Sequence, residues 1–226
     1  MAANGDIALF GHLVSRGADP QKSLSLHRAT KCRDVPKMAA MIDYLLDVHH
    51  MDIEADSENL RDLFAAAHDS GTPLNSAIFY QNLPAVTKPL ERGANPEVAV
   101  YQAIDSVLTR AYLPAVGPLL DAGADPNGAF GHAVDHLNFE AAQVCLDKGT
   151  DPSRVLRLQQ AKAAKKAAGT FDRYEDEEQG DGGLSSDDDE GLAAERERMR
   201  NFVRSASTTR AQSTADVATP TINHTH

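Results

Sequence analysis

Thr72-Pro73-Leu74-Asn75-Ser76-Ala77 opens the stretch that decides the fold, and this stretch ends at Asn127. One phrase occurs twice within it, first as Val86-Thr87-Lys88-Pro89-Leu90-Glu91-Arg92-Gly93 and then as Val116-Gly117-Pro118-Leu119-Leu120-Asp121-Ala122-Gly123. Self-similarity at a fixed period near 30 residues is the sequence signature of an array of supersecondary units. The stretch therefore predicts a row of repeated helix pairs.

A four-residue stop follows the Leu-rich helix in four of the five copies of this array. Gly-Ala-Asp/Asn-Pro occurs at 17–20, 93–96 and 123–126, and a degenerate copy, Gly-Thr-Asp-Pro, occurs at 149–152. Glycine supplies a left-handed helix C-cap, the Asp or Asn side chain can accept hydrogen bonds from turn amides, and proline forbids continuation of the helix. A single stop of this kind is common, but four near-identical stops are typical of a repeat.

These residues resemble the ankyrin repeat, whose consensus has Thr-Pro-Leu-His-x-Ala in an inner helix, Val-x-x-Leu-Leu in an outer helix and a closing Gly-Ala-Asp. The resemblance covers residues 2 to about 153 and is strongest at 72–126. It implies an all-α fold, an ankyrin-repeat solenoid of about four to five helix-turn-helix repeats, over residues 1–153. The first copy is incomplete, with an outer helix from Ile7 to Arg16, so either it is a minimal cap or residues are missing upstream.

Three departures from the consensus carry structural expectations. The second copy, which begins Leu26-His27-Arg28-Ala29, is four residues longer than the third, so its helix pair should be longer by about one turn. Pro89 and Pro118 fall inside outer helices, which should therefore bend or start late. Only 26 residues separate Gly123 from Gly149 (149 − 123), so the β-hairpin fingers before copies four and five should be reduced or absent.

Composition divides the rest of the chain. Residues 54–71 form a longer connection, with a helix around 60–67 and a finger tip at 69–71. Residues 154–168 predict a C-terminal capping helix, whose basic run at 162–166 is best interpreted as a soluble face rather than a nucleic-acid contact or an import signal. From 169 to 226 we expect a disordered acidic, Ser/Thr-rich tail with one short helix at 192–204.

Bulk properties exclude several classes of function. The 226 residues carry a net charge of −11, which argues against a protein that binds the phosphate backbone of nucleic acids. The N-terminus lacks a basic region followed by an apolar run, and no apolar stretch is long enough to span a membrane. We therefore expect an intracellular protein, cytoplasmic or nuclear, and a monomer.

No constellation of residues predicts chemistry. His132 and His136 are four apart on a helix, but no third metal ligand is placed by spacing. The turn at 49–50 and the terminal His224 and His226 are better explained as solvated side chains. Cys145 aligns with a core leucine, and Cys32, although near Lys31 and Arg33, has no histidine partner placed by a motif. We expect no enzyme, no metal, no cofactor and no small-molecule substrate.

The resemblance also implies where a partner would bind, because ankyrin repeats bind proteins on the concave face lined by the inner-helix ends. Carried over by position, these residues are Phe79, Tyr80 and Gln81 in copy three, Thr109, Arg110 and Tyr112 in copy four, and Asp135, His136 and Asn138 in copy five. Tyrosine and arginine are typical anchors of interfaces. The alternative for Phe79 and Tyr112 is packing between repeats.

These features favour a non-catalytic protein–protein interaction module, an adaptor or scaffold that holds a partner on its concave face. One alternative is a fragment of a larger repeat protein without a function of its own, as the incomplete first copy suggests. Another is an inhibitor that acts through the acidic run at 172–190. Ser185 and Ser186 each have an acidic residue three positions on, so both are candidate sites for acidophilic kinases.

Overall fold

The described part of the chain is entirely helical. The computed structural model describes residues 1–57, 71–104, 111–167 and 186–217, and within these ranges it contains no β-strand, so the all-α prediction is confirmed there. The α-helices are α1 (Ile7–Ser15), α2 (Ser25–Ala29), α3 (Val35–Asp47), α4 (Pro73–Phe79), α5 (Leu83–Glu91), α6 (Glu97–Ile104), α7 (Leu113–Asp121), α8 (Pro126–Asp135), α9 (Phe139–Asp147), α10 (Pro152–Ala167) and α11 (Ser186–Val217). Two short 3-10 helices span Ala2–Asn4 and Pro20–Lys22.

The first of two compact units, Met1–Asp125, is built in two layers. In one layer the 3-10 helix Ala2–Asn4 contacts α2, α2 contacts α4, and α4 contacts α6. In the other layer α3 contacts α5, and α5 contacts α7. The pairs α2/α3, α4/α5 and α6/α7 close the two layers on each other. We call them the inner layer and the outer layer.

Small side chains fill the space between the layers of the first unit. Ala77, Ala85 and Ala103 are fully buried, and so are Val86 and Val116. Small residues let helix backbones approach closely, and the larger leucines and isoleucines of α2, α3, α4, α6 and α7 fill what remains. The apolar core therefore runs along the stack rather than collecting at one centre.

The second unit, Pro126–His226, begins with the pair α8/α9. Helix α10 packs on α8, and α11 packs on α10. The repeat register places Phe130, Ala133, Ala142, Cys145 and Leu146 inward in the fifth copy. The first four are fully buried, and Leu146 is half-buried. The fifth copy and the C-terminal helices therefore form one compact unit.

Helix α4 begins as its sequence predicts. Thr72 is the N-cap and Pro73 lies in the first turn, where a missing amide donor does no harm. The Thr72 hydroxyl accepts from the Asn75 amide at 3.4 Å, and the Asn75 side chain accepts from the Thr72 amide at 3.2 Å. This reciprocal capping box satisfies two of the donors that a helix start leaves open.

Helix lengths follow the sequence, with one correction. Helix α3 has 13 residues, whereas α5, α7 and α9 have nine each, so the outer helix of the second pair is four residues longer, as expected. Its inner helix α2 has five residues against seven in α4, so the pair as a whole gains two. The sequence predicts that the internal prolines cause either a bend or a late start, and the late start does not occur. Helix α5 begins at Leu83 and continues through Pro89, because Pro84 in its first turn presets the helical φ and the second proline removes only one internal donor.

The stops between helix pairs carry a ladder of side chain to backbone hydrogen bonds. Within one turn, Asn95 Oδ1 accepts from the Glu97 amide at 3.0 Å, as the sequence predicts for these positions. Between turns, Glu54 Oε1 accepts from the Asn95 amide at 2.7 Å, and Glu97 Oε2 accepts from the Asp125 amide at 2.9 Å. Each turn of the first unit thus satisfies a backbone donor of the next turn.

Asn82 holds the inner-layer turns of the first unit together. Its side chain is 4% exposed, and Nδ2 donates to the carbonyl oxygens of Thr30 at 2.7 Å and Cys32 at 3.0 Å. One amide therefore bridges the turn after α2 to the start of α5.

Ion pairs join the outer-layer helices α3 and α5. Lys88 Nζ lies 2.8 Å from an Asp43 carboxylate oxygen, and Arg92 pairs with both Asp43 and Asp47. The hydrogen bond from Arg92 holds the pKa of Asp47 below its usual value. Because these groups are solvated, they fix the register of the two helices more than they add to stability.

The C-terminal region is more ordered than the sequence analysis expects. Helix α10 spans Pro152–Ala167, close to the predicted capping helix. Helix α11 contains the predicted segment 192–204 but extends from Ser186 to Val217, because Met199 and Val203 are buried in the second unit and hold a sequence of weak helix propensity. The acidic run up to residue 185, the end from 218, and the predicted helix at 60–67 lie outside the described residues.

Replacing Asn82 with alanine should lower the free energy of unfolding by about 3 kcal/mol, since two carbonyls lose a donor in a buried place. Urea unfolding followed by circular dichroism measures this. Thr87→Ala is the matched control, because the Thr87 hydroxyl is exposed and donates only to Leu83 O of its own helix. The control should change stability by less than about 0.5 kcal/mol. Equal effects of the two changes would contradict the bridging role.

Gly93→Ala and Gly131→Ala should have opposite effects. A methyl group at Gly93 meets no atom within 4 Å, and one at Gly131 meets Val155 Cγ2 at 4.0 Å, an ordinary van der Waals distance, so packing does not distinguish them. Gly93 has a φ of 89°, where alanine is strained by about 1 kcal/mol, whereas Gly131 lies inside α8, where alanine should stabilise by about 0.5–1 kcal/mol. Thermal unfolding of both variants tests the assignment, and a shift of the same sign would refute it.

Candidate functional site

Those predicted contact residues that the structure describes lie at helix ends and in the turns beside them. In the first unit, Phe79 is the last residue of α4, Tyr80 is its C-cap, and Gln81 stands in the turn. Tyr112 directly precedes α7. In the second unit Asp135 ends α8, His136 follows it, and Asn138 is the N-cap of α9. Thr109 and Arg110 lie outside the described residues.

Two basic residues join Phe79, Tyr80 and Gln81 on the surface of the first unit. Lys31 Nζ lies 4.1 Å from the centroid of the Tyr80 ring, a cation–π distance. The rings of Phe79 and Tyr80 meet edge to face with centroids 5.1 Å apart. We call the set Lys31, Arg33, Phe79, Tyr80 and Gln81 the aromatic–basic edge. It combines exposed or half-exposed rings with two positive charges.

Arg33 positions the backbone of this edge. Its Nη2 donates to Tyr80 O at 2.7 Å, and its Nη1 donates to Gln81 O at 3.2 Å. These carbonyls lie at the C-terminal end of α4, where the helix dipole favours a cation. Gln81 has a φ of 49°, in the left-handed region, so the turn is held in a conformation that a non-glycine residue seldom adopts.

Sequence reasoning missed Lys31 and Arg33. Both follow α2 as Tyr80 and Gln81 follow α4, so they occupy an equivalent turn one helix pair earlier. The repeat register could have pointed to Lys31 and Arg33. This indication was weak because the second copy is longer and its inner helix, Ser25–Ala29, ends early.

Two of the predicted contact residues take part in starting a helix. Asn138 Oδ1 accepts from the Ala141 amide at 3.0 Å and caps α9. Tyr112 occupies the equivalent position before α7, and its amide donates to Ala103 O at 2.7 Å. The Tyr112 side chain is half-buried. These positions therefore have a structural role of their own, whichever surface a partner uses.

The second unit presents a histidine pair at the end of α8. The rings of His132 and His136 lie with centroids 4.2 Å apart at 45°, and His136 and Asp135 are exposed. Across the ranges that the structure describes, no group of three or more His, Cys, Asp or Glu side chains could hold a metal ion. The pair is a polar surface feature of this unit.

His49 is not the solvated turn residue that the sequence suggests. Its ring meets Phe10 and Tyr44 edge to face, with centroids 5.5 Å and 4.9 Å away. The three rings close the outer layer between α1 and α3, and His50, which has a φ of 49°, turns the chain beyond them. His49 therefore belongs to the packing of the first unit.

Both cysteines are buried free thiols. Burial raises the pKa of Cys145 to about 12, so its thiolate is scarce at neutral pH. Cys32 Sγ donates to Asp34 O at 3.6 Å. Neither environment favours a nucleophile.

No protein-family model matches the chain, and a comparison with curated proteins finds no matching relative. None of the helices in the described residues is both long enough and apolar enough to cross a membrane.

In a Cys32→Ser variant, the remaining thiol should react with a disulfide reagent at pH 8 about fiftyfold more slowly than a thiol with the ordinary pKa of 9.0, because its lower thiolate fraction outweighs the greater nucleophilicity of its thiolate. Burial should slow the reaction further. Absorbance of the released product measures the rate. In urea the same thiol should react at the ordinary rate. Fast reaction of the folded variant would show that Cys145 is accessible and ionised.

Proposed function

We propose that this chain is a non-catalytic protein-interaction module with a divergent ankyrin-like solenoid fold, and that a protein partner docks on the aromatic–basic edge. The observation that supports the proposal is the sequential packing of α2, α4 and α6 in one layer and α3, α5 and α7 in the other. Arrays of this kind bind partners along the surface formed by equivalent positions of successive repeats.

The chemistry of the edge suits a protein interface. Aromatic and arginine side chains bury much area and still form hydrogen bonds, which is why they are enriched at interface centres. Arg33 fixes the backbone under Tyr80, and Lys31 lies against the Tyr80 ring, so these groups lose little freedom when a partner binds. Because the two cations and the two rings are already held in place, they favour a partner that presents carboxylates beside apolar side chains.

The second unit presents side chains at repeat positions equivalent to those of the aromatic–basic edge. Asp135 and His136 stand at the end of α8 as Phe79 and Tyr80 stand at the end of α4. Exposed charged and aromatic side chains at these positions favour polar contacts. Because Asn138 caps α9, its substitution is unsuitable for testing binding.

A photo-crosslinking amino acid at position 81 should capture the partner, since Gln81 is exposed at the centre of the edge. The full chain carries the probe in native extract. The matched control carries it at position 87, where Thr87 is exposed on α5. A protein captured at 81 and not at 87 is then identified and purified. Equal capture at both positions would argue against the edge as a binding surface.

With that purified partner, Lys31→Ala combined with Tyr80→Ala should weaken binding about thirtyfold, the effect of losing roughly 2 kcal/mol at an interface centre. Arg16→Ala combined with Gln143→Ala removes two exposed side chains elsewhere and should change Kd less than twofold. Titration calorimetry measures Kd, and circular dichroism checks that both variants fold. Unchanged affinity of the first variant would refute the proposal.

A further inference from the structure

Within the second unit, helix α11 packs against α10 and contacts the start of α9. Met199 and Val203 are 1% and 0% exposed, and the Phe202 ring meets Phe139 edge to face at 5.8 Å. Arg198 lies 5.7 Å from the same Phe139 ring. A short apolar stripe therefore holds a 32-residue helix of otherwise polar sequence.

Arg210 attaches α11 to the turn that follows α9. Arg210 Nη1 donates to Gly149 O at 2.9 Å and to Thr150 O at 2.6 Å, the carbonyls that follow the end of α9. Between these contacts a groove of about 560 Å³ stays open, with Leu146 and Phe202 among its walls. Because the groove leaves apolar side chains incompletely packed, docking of α11 rests on the stripe and on Arg210.

Ser207 lies on the docked side of α11. It follows Val203 by four residues, which puts the two side chains on the same helix face, and it is half-buried. Its Oγ donates to Val203 O at 2.9 Å. The next residue, Thr208, is exposed, and its hydroxyl donates to Arg204 O at 3.0 Å. Ser207 and Thr208 therefore make the same type of hydrogen bond within α11, but Ser207 is half-buried and Thr208 is exposed.

The sequence around Ser207 is suited to a basophilic kinase. Arg204-Ser205-Ala206-Ser207 puts an arginine three positions before the serine, the spacing that kinases with an acidic substrate groove recognise through a charge-assisted pair. Arg204 is exposed on α11, where its Nη1 donates to Asn201 Oδ1 at 3.1 Å and lies 3.6 Å from Glu197 Oε1. We propose that Ser207 is a phosphorylation site for a basophilic serine kinase and that its phosphate releases α11 from the second unit.

The chemistry and its effect follow from the position. Ser207 Oγ attacks the γ-phosphorus of ATP, the new O–P bond replaces the bond to the leaving ADP, and the hydroxyl proton is lost. The product carries a charge of about −1.5 to −2 at pH 7. On the half-buried side of α11 this charge would have to be desolvated, and Oγ no longer donates to Val203 O. Kinases bind extended segments, so the undocked form is the substrate, and the phosphate then favours that form.

Phosphorylation of the full chain by a basophilic kinase, mapped by mass spectrometry, tests the first half of the proposal. Phosphate should appear on Ser207 and should fall at least tenfold in an Arg204→Gln variant. Arg210 precedes Ser213 by three residues, so Ser213 is the internal competitor. Modification of Ser213 or other residues without Ser207 would overturn the assignment.

Hydrogen exchange of α11 tests the second half. Ser207→Asp adds a negative charge on the docked side and should speed amide exchange in residues 197–207 about tenfold or more, as should the phosphorylated protein. Thr208→Asp adds the same charge on the exposed side and should change exchange less than twofold. Amides of residues 1–57 serve as the reference in each sample. Equal effects of the two substitutions, or none from the phosphate, would overturn the proposal.

Discussion

The structure depends on the burial of one apolar face of each short helix against the helix pair beside it. Nine-residue helices such as α5 and α7 are too short to be stable alone in water, so their stability comes from packing. Alanine and valine at the facing positions bring the helices close enough to exclude water. This requirement explains why a chain with few aromatic residues and no tryptophan still buries a continuous core.

Polar groups fix how successive helix pairs are positioned relative to each other. Glu54, Glu97 and Asn82 each bridge one helix pair of the first unit to the next, and each satisfies backbone groups that a turn would otherwise leave open. The apolar contacts supply most of the free energy of folding, since this term is roughly proportional to the apolar area that is buried. The hydrogen bonds select one register of the helices among several that would bury a similar area. Because each bridge spans only neighbours, a change in one turn should act mainly on the pairs beside it.

The aromatic–basic edge and helix α11 show two uses of the same architecture. At the aromatic–basic edge, Arg33 donates to a carbonyl at the end of α4 and so holds in place side chains that are not part of the core. On the second unit, Arg210 makes the same kind of contact with the carbonyls after α9, and there it holds an entire helix. Carbonyls at or just beyond a helix C-terminus thus anchor the aromatic–basic edge in one unit and helix α11 in the other.

The sequence by itself determined the helix pairs, their stops and their lengths. Gly93, Gly123 and the capping pair Thr72/Asn75 act within a few residues, so their effects could be predicted from local chemistry, as could the extra turn of α3. The site was predictable only in part: repeat register led to Tyr80 and Gln81, but the pairing of Lys31 with Tyr80 joins residues 49 apart. Tertiary structure alone decided that contact, the packing of His49 against Phe10, and the extension of α11 to Val217. In each case a stabilising partner lies far away in the sequence, and the free energy of packing the side chain against it outweighs the local preference.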